Sequence, residues 1–306
     1  MSKRNCVVNP SLGRRTLLWL AVSLTLSAWS AAGSVKVEHE ARSLQPGEVV
    51  LVRVTAVDPI ESVAATALDE DVPFFETDDP RVREGLVGLD LAIEPGSYSV
   101  RIAGRAGGQD FTVTDTLRVT AKKFPVRRIT VEEKFANPPA SVQERIAREQ
   151  KLVASIFKKT TGSRYWTAPF HRPVPGIALS SFGKRSIVNG QARSPHSGTD
   201  FRGAAGTPIE APNNGRVVLA QDLYYSGNTV IIDHGLGLYS YLAHLSAFRV
   251  KAGEAVRKGS VIGLVGATGR VTGPHLHWTT RLLGARVDPL SLMGVVADLP
   301  EAAASH

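Results

Sequence analysis

The sequence predicts an all-β protein in two parts joined by a single helix. Three observations point there. Apolar residues alternate with polar ones at a period of two along most of the chain, with Gly- or Pro-containing turns every ten or so residues. Only residues 141–159 place their apolar side chains at helical spacing. The charge is also divided. Residues 33–120 hold 8 basic and 16 acidic side chains, net −8, whereas residues 121–306 hold 24 and 12, net +12. Opposite signs in the two halves suggest domains with different tasks, and 306 residues suit about two domains of roughly 150 each. A hydrophobic fraction of 43% is enough for real cores and argues against disorder.

The first element is expected to be a leader. Residues 1–32 contain Lys3, Arg4, Arg14 and Arg15 and no acid, then an apolar run from Leu17 to Trp29 and the small residues Ser30, Ala31 and Ala32. That order describes a signal peptide cleaved near Ala32. The run is shorter than the ~20 residues a membrane span needs, so no stable span is expected after removal. The Arg14-Arg15 pair resembles a twin-arginine signal only in the pair itself. The one cysteine, Cys6, leaves with the leader. The mature chain then has no disulfide, no cysteine zinc module and no thiol nucleophile. Its net charge falls from +8 to +4.

Residues 33–122 read as a sandwich of short antiparallel strands. Val50, Val52 and Val54 share one face, as do Tyr98, Val100 and Ile102, and Phe111, Val113, Leu117 and Val119. The acidic stretch Asp69-Glu70-Asp71 to Asp78-Asp79 lacks the spacing and central Gly of a calcium loop and reads as a solvated loop. Residues 123–165 form a connector. Within it Ser141-Val142-Gln143-Glu144 has the form of a capping box, and Val142, Ile146, Val153 and Phe157 lie on one face of helix 141–159. Residues 166–295 are rich in Gly and Val, with strands expected at Gly215–Ala220, Asn228–Asp233 and Val261–Val265. Turns are expected at Asn213-Asn214-Gly215, Ser226-Gly227-Asn228 and Gly235-Leu236-Gly237. Residues 296–306 are a tail.

Five of the eight histidines fall between 196 and 277. His196-Ser197-Gly198-Thr199-Asp200 offers an imidazole and a carboxylate on a loop running into a strand, a weak signal by itself. In Gly273-Pro274-His275-Leu276-His277-Trp278, side chains at i and i+2 of a strand face the same way, so His275 and His277 point into one place and Leu276 into a core. His244 ends the alternating segment Tyr239–Leu245, whose pattern leaves open whether it faces core or cleft.

These motifs together resemble the lysostaphin/LytM-type zinc metallopeptidases that cut peptidoglycan peptides. The resemblance rests on H-x-x-x-D, then Y-x-x-H-L, then H-x-H after T-G-x-x-T-G-P, over about residues 175–293, including Ser180–Gly183, Gly206-Thr207-Pro208, Val230–Gly235 and Val261–Trp278. It implies a C-terminal antiparallel β domain of that type at 166–295, and an immunoglobulin-like domain at 33–122 would suit such a module. It implies His196, Asp200 and His277 as ligands of one zinc per chain, and His244 and His275 as the catalytic pair beside the metal-bound water. It also implies a peptidoglycan peptide as substrate, while the leader implies an exported protein of the periplasm or cell envelope. Three protein ligands with one open position are what catalytic zinc uses, and the net positive centre lowers the pKa of water toward ~7. None of the five positions is substituted, unlike relatives that have lost ligands and only activate other wall enzymes. Such a non-catalytic activator of a murein amidase is the alternative reading, and any regulator is unknown.

Other chemistries fit less well. His39-Glu40-Ala41-Arg42-Ser43 lacks the second histidine of H-E-x-x-H, and no G-x-S-x-G or phosphate-binding Gly loop occurs. No aromatic-basic motif supports nucleic-acid binding. His234 reads as a turn residue, Glu210 as a surface strand residue, and His171 and His306 as structural or exposed.

Overall fold

Strand forms almost everywhere the sequence alternates. The computed structural model describes residues 27–29, 35–130, 133, 137–179, 181–297 and 299. In the N-terminal half one sheet runs β1 (Ser27–Trp29), β2 (Val35–Glu40), β3 (Val49–Ala56), β7 (Val82–Gly88), β6 (Phe74–Glu76). The facing sheet runs β5 (Glu70–Val72), β4 (Ile60–Ala67), β8 (Gly96–Ala106), β9 (Gln109–Val119). From β2 onward this order has the Greek-key form of immunoglobulin-type sandwiches. Val50, Val52 and Val54 meet Val100, Ile102, Val113 and Leu117 between the sheets. Apart from Ser27–Trp29, the segment expected as a leader lies outside the described residues, as do His306 and most of the tail.

The acidic stretch is not a single loop. Leu68 (φ 54°) and Asp69 (φ 63°) are both left-handed and close a two-residue hairpin from β4 into β5. The acids at 69–71 stay exposed, while Val72 and Phe75 supply the buried anchors.

The C-terminal half is a nine-stranded antiparallel sheet. Its main path is β13 (Thr199–Arg202), β20 (His275–Leu282), β17 (Leu238–Phe248), β16 (Gly227–Gly235), β15 (Gly215–Leu223), β18 (Ala255–Val256). β19 (Val261–Val265) pairs with β17 and with β14 (Pro208–Glu210), and β21 (Ala285–Val287) pairs with β20. Both faces are covered. Val230, Ile232, Leu242, Leu276 and Trp278 enter the main core, whereas Ile231 and Tyr239 pack on the opposite face under helix α1 (Ala140–Phe157). A run as apolar as Val230–Ile232 is what a doubly covered strand requires.

Two readings need correction. The Ser141 capping box does not form: α1 starts at Ala140 after the extended Pro139, with no side-chain cap. Pro138-Pro139 cannot continue a helix backwards, so the start moves to the first residue after them and Ser141 falls inside the first turn. His234 is not a turn residue but a fully buried member of β16. Two elements also went unread. β10 (Val126–Ile129) adds in parallel to the hairpin of β11 (Arg185–Val188) and β12 (Gln191–Arg193), and a short helix α2 (Pro289–Val295) is capped by the Asp288 carboxylate.

The two halves share a core. Val49, Leu51, Phe75 and Leu86 project from the outer face of the first sheet into the cluster that holds Trp166, Leu238 and Leu282. Phe75 meets Trp166 edge-on at 5.2 Å between centroids. Buried polar groups close the joint. Arg42 donates to Glu48 at 2.9 and 3.0 Å and to Asp288 at 2.9 Å, and Lys122 reaches Glu48 at 2.8 Å. Asp288 also accepts from the Thr199 hydroxyl at 3.0 Å. Among the described residues no helix is long and apolar enough to cross a membrane.

Candidate metal centre

The structure brings His196, Asp200, His244, His275 and His277 together in one cleft of about 660 Å3. Register does most of this. β13 and β20 pair so that Asp200 lies directly opposite His277 and Arg202 opposite His275, while Phe201 and Leu276 turn to the core between them. The same face of β20 then presents Thr279 and Arg281.

His244 reaches the cleft by an irregularity. On the regular pattern it would join Leu242 in the core. Instead Leu242 pairs with Val230 and Leu245 with Asn228, so β17 carries one extra residue there. His244 adopts φ 69° and Leu245 takes the core position. This bulge sits where β17 exchanges its partner β20 for β19. Gly266 allows it, since a Cβ there would stand 2.4 Å from Ser246 N and 2.8 Å from His244 O.

The imidazoles are oriented by acceptors. His196 Nδ1–H donates to Ser181 O (3.1 Å), His244 Nδ1–H to Thr268 O (2.9 Å) and His275 Nδ1–H to Gly273 O (2.8 Å). Carbonyls only accept, so in the neutral rings each Nε2 bears the lone pair. His277 is oriented the other way round, with Nε2 at 2.9 Å from the Thr279 hydroxyl and Nδ1 facing Asp200. Asp200 Oδ1 stands 3.1 Å from His196 Nε2, 3.0 Å from His277 Nδ1 and 3.8 Å from His275 Nε2. Its backbone N–H is held by Ser181 Oγ at 2.8 Å.

Burial opposes ionisation of Asp200, but the adjoining His196 and His277 outweigh it and hold the carboxyl far below its usual range. Burial, aided by the charges of His277 and His275, pushes His244 down to about 3. Burial also lowers His277. The site therefore combines an ionised carboxylate with neutral rings at His244 and His277.

The donor set fits a cation. Ligand atoms of His196, Asp200 and His277 lie within 4.8 Å of one another. Two imidazole lone pairs and a carboxylate oxygen facing each other at about 3 Å repel unless a positive charge lies between them. Two nitrogens and one oxygen form a set that zinc accepts, with a position left open. His244 and His275 flank it, their rings 5.0 Å apart.

Ser181, Thr268 and Thr279 were not singled out from the sequence. Thr279 had a signal, because it follows His277 by two in a strand and so shares its face. The others are brought in by loops. His171 and Glu210 pair at the surface, away from the cleft.

Comparisons with known proteins point to one family. The sequence profile of peptidase family M23 matches residues 194–289. Peptidoglycan DD-endopeptidase ShyA of Vibrio cholerae is 44% identical over 97 residues, which are 32% of this chain and 23% of that protein. DD-carboxypeptidase/endopeptidase Mpg of Neisseria meningitidis is 42% identical over 107 residues, 35% of this chain and 25% of that protein. The chain thus matches about a quarter of the length of these curated relatives. A solved structure from Pseudomonas aeruginosa assigned to peptidase M23 is 31% identical with a TM-score of 0.63, covering 83% of this chain and 96% of its own. That coverage extends well beyond the C-terminal sheet, and with it the chain belongs to peptidase family M23.

Proposed function

We propose that the chain is an exported zinc endopeptidase that hydrolyses peptide cross-links of bacterial peptidoglycan, acting in the periplasm or cell envelope. The observation that carries this reading is the convergence of three ligand atoms beside two further imidazoles in one cleft. The name of the relative ShyA, a peptidoglycan DD-endopeptidase, supports the substrate class. His196 Nε2, Asp200 Oδ1 and His277 Nδ1 would hold one zinc. When bound, zinc polarises the scissile carbonyl and acidifies water. His244, only 8% exposed, offers Nε2 as the base that takes a proton from the attacking water. His275, its ring 5.0 Å from that of His244, offers Nε2 to accept a second hydrogen bond from the same water. The carbonyls of Thr268 and Gly273 hold both rings in the tautomer this requires.

The purified chain is expected to contain about one zinc and to release cleaved muropeptides from sacculi. His244→Ala should keep the metal and lower the rate by about 10²–10³-fold. Zinc-loaded protein that releases nothing would overturn the enzyme reading and favour the activator reading.

A further inference from the structure

The cleft carries more positive charge than metal chemistry needs. Five arginines line it, and among the described residues the one acid in its lining is Asp200, already committed to the histidines. Three of the arginines gather at one end, from three separate parts of the chain. Arg127 lies on β10 with Nε donating to Ser186 Oγ at 3.0 Å. Arg193 ends β12 and donates to Gln191 Oε1 at 2.5 Å. Arg270 is held by its backbone N–H on Tyr225 O at 2.7 Å, its guanidinium 4.8 Å from the Tyr225 ring centre.

Among the described residues no carboxylate pairs with Arg127 or Arg270; burial disfavours the charged form of Arg270, Tyr225 favours it, and the nearby Arg193 and Arg127 oppose it as like charges. Arg127 and Arg270, half-buried beside like charge, are stabilised by an anion placed between them. Guanidinium forks match carboxylates geometrically. The cluster is tied to both sides of the site. Arg193 is three residues before His196, and Arg270 five before His275. The arginines and the histidines line the same cleft.

Building on the peptidase reading, we propose that Arg127, Arg193 and Arg270 form a carboxylate-binding subsite, and that the preferred substrate bears a free carboxylate within a residue or two of the scissile bond. The carboxylate comes from a side chain or from a chain terminus, and both present the same planar pair of oxygens.

The test is equilibrium binding, by calorimetry, to zinc-loaded full-length His244→Ala protein, so that no turnover is needed. The probes are a cross-linked stem peptide with all carboxylates free, one amidated at the side chain and one amidated at the terminus. The free peptide should bind about tenfold more tightly than one of the two amidated forms, which identifies the source. Arg270→Gln and Arg127→Gln should each shrink that ratio toward one, while Arg270→Lys, retaining charge without the fork, should fall between. Circular dichroism checks folding, and because the readout is a ratio within each variant, a general loss of affinity does not imitate the effect. Equal binding of all three peptides, or a ratio unchanged in both Gln variants, overturns the subsite. Discrimination without hydrolysis by the parent chain would overturn the endopeptidase reading alone.

Discussion

At the residue scale, backbone carbonyls and hydroxyls decide what each histidine can do. Thr279 is the clearest case. It takes the Nε2–H of His277 and so frees Nδ1. Thr279→Val keeps the shape and removes the acceptor. Zinc affinity, measured by chelator competition, should fall about 10–100-fold with the fold intact. An unchanged affinity would mean the hydroxyl orients nothing. The buried His234 has a different role. Its Nδ1–H donates to Asn214 O at 2.7 Å, and its Nε2 accepts from Ser240, whose oxygen accepts from Trp278. Burial pushes His234 down to about 4 from an ordinary 6.5. The unfolded chain therefore takes up its proton first as the pH falls. The stability this neutral histidine contributes is full above about pH 6.5 and is lost toward pH 4, about 2 kcal/mol of it by pH 5. Urea unfolding of metal-free protein at pH 7.5 and 5 should show that loss relative to His234→Asn. A difference between parent and variant that does not change with pH would refute the linkage.

At the element scale, the site depends on two irregularities in an otherwise regular sheet. The bulge in β17 turns His244 out of the core. The tight entry into β13 is the second. A Cβ at Gly198 would stand 2.5 Å from Trp278 O and 2.7 Å from His277 Cε1. Gly198→Ala should therefore push His277 off Asp200, weaken zinc binding and cost about 1–3 kcal/mol by overpacking. Thermal melting and metal titration check this, and wild-type values in both would contradict the contact. Helix α1 also does more than link. Phe157 packs edge-on against Tyr239 at 5.6 Å, and Val153 and Phe157 form one wall of the cleft. Its apolar face was readable from spacing, but what that face covers was not, because its partners lie some 80 residues away.

At the scale of the whole molecule, the sandwich and the peptidase sheet behave as one body. β3 is buried on both faces, Val50 and Val52 inward and Val49 and Leu51 against the C-terminal half. Asp288 ties Arg42 of the sandwich to Thr199, the neighbour of Asp200. Burial opposes the ionised form of Glu48, but Arg42 and Lys122 prevail and hold it below the usual carboxylate range. Calorimetry of the full chain should show one cooperative transition. Leu51→Ala should destabilise that single transition by about 2–5 kcal/mol. Two separable transitions would refute the shared core. No residue of 35–120 lines the cleft.

Residue order by itself determined the strands, the helix, the division of charge and the common face of His275 and His277. Each of these follows from a period of two or 3.6, which is local and survives without neighbours. The resemblance assembled the five site residues from ordered motifs. The tertiary structure alone decided that His244 faces the cleft, that three arginines from distant segments meet beside it, and that the sandwich shares a core with the peptidase sheet. A register shift occurs where a strand changes partners, and a cluster forms where separate loops converge. Both depend on contacts between residues far apart in sequence, which no local period encodes.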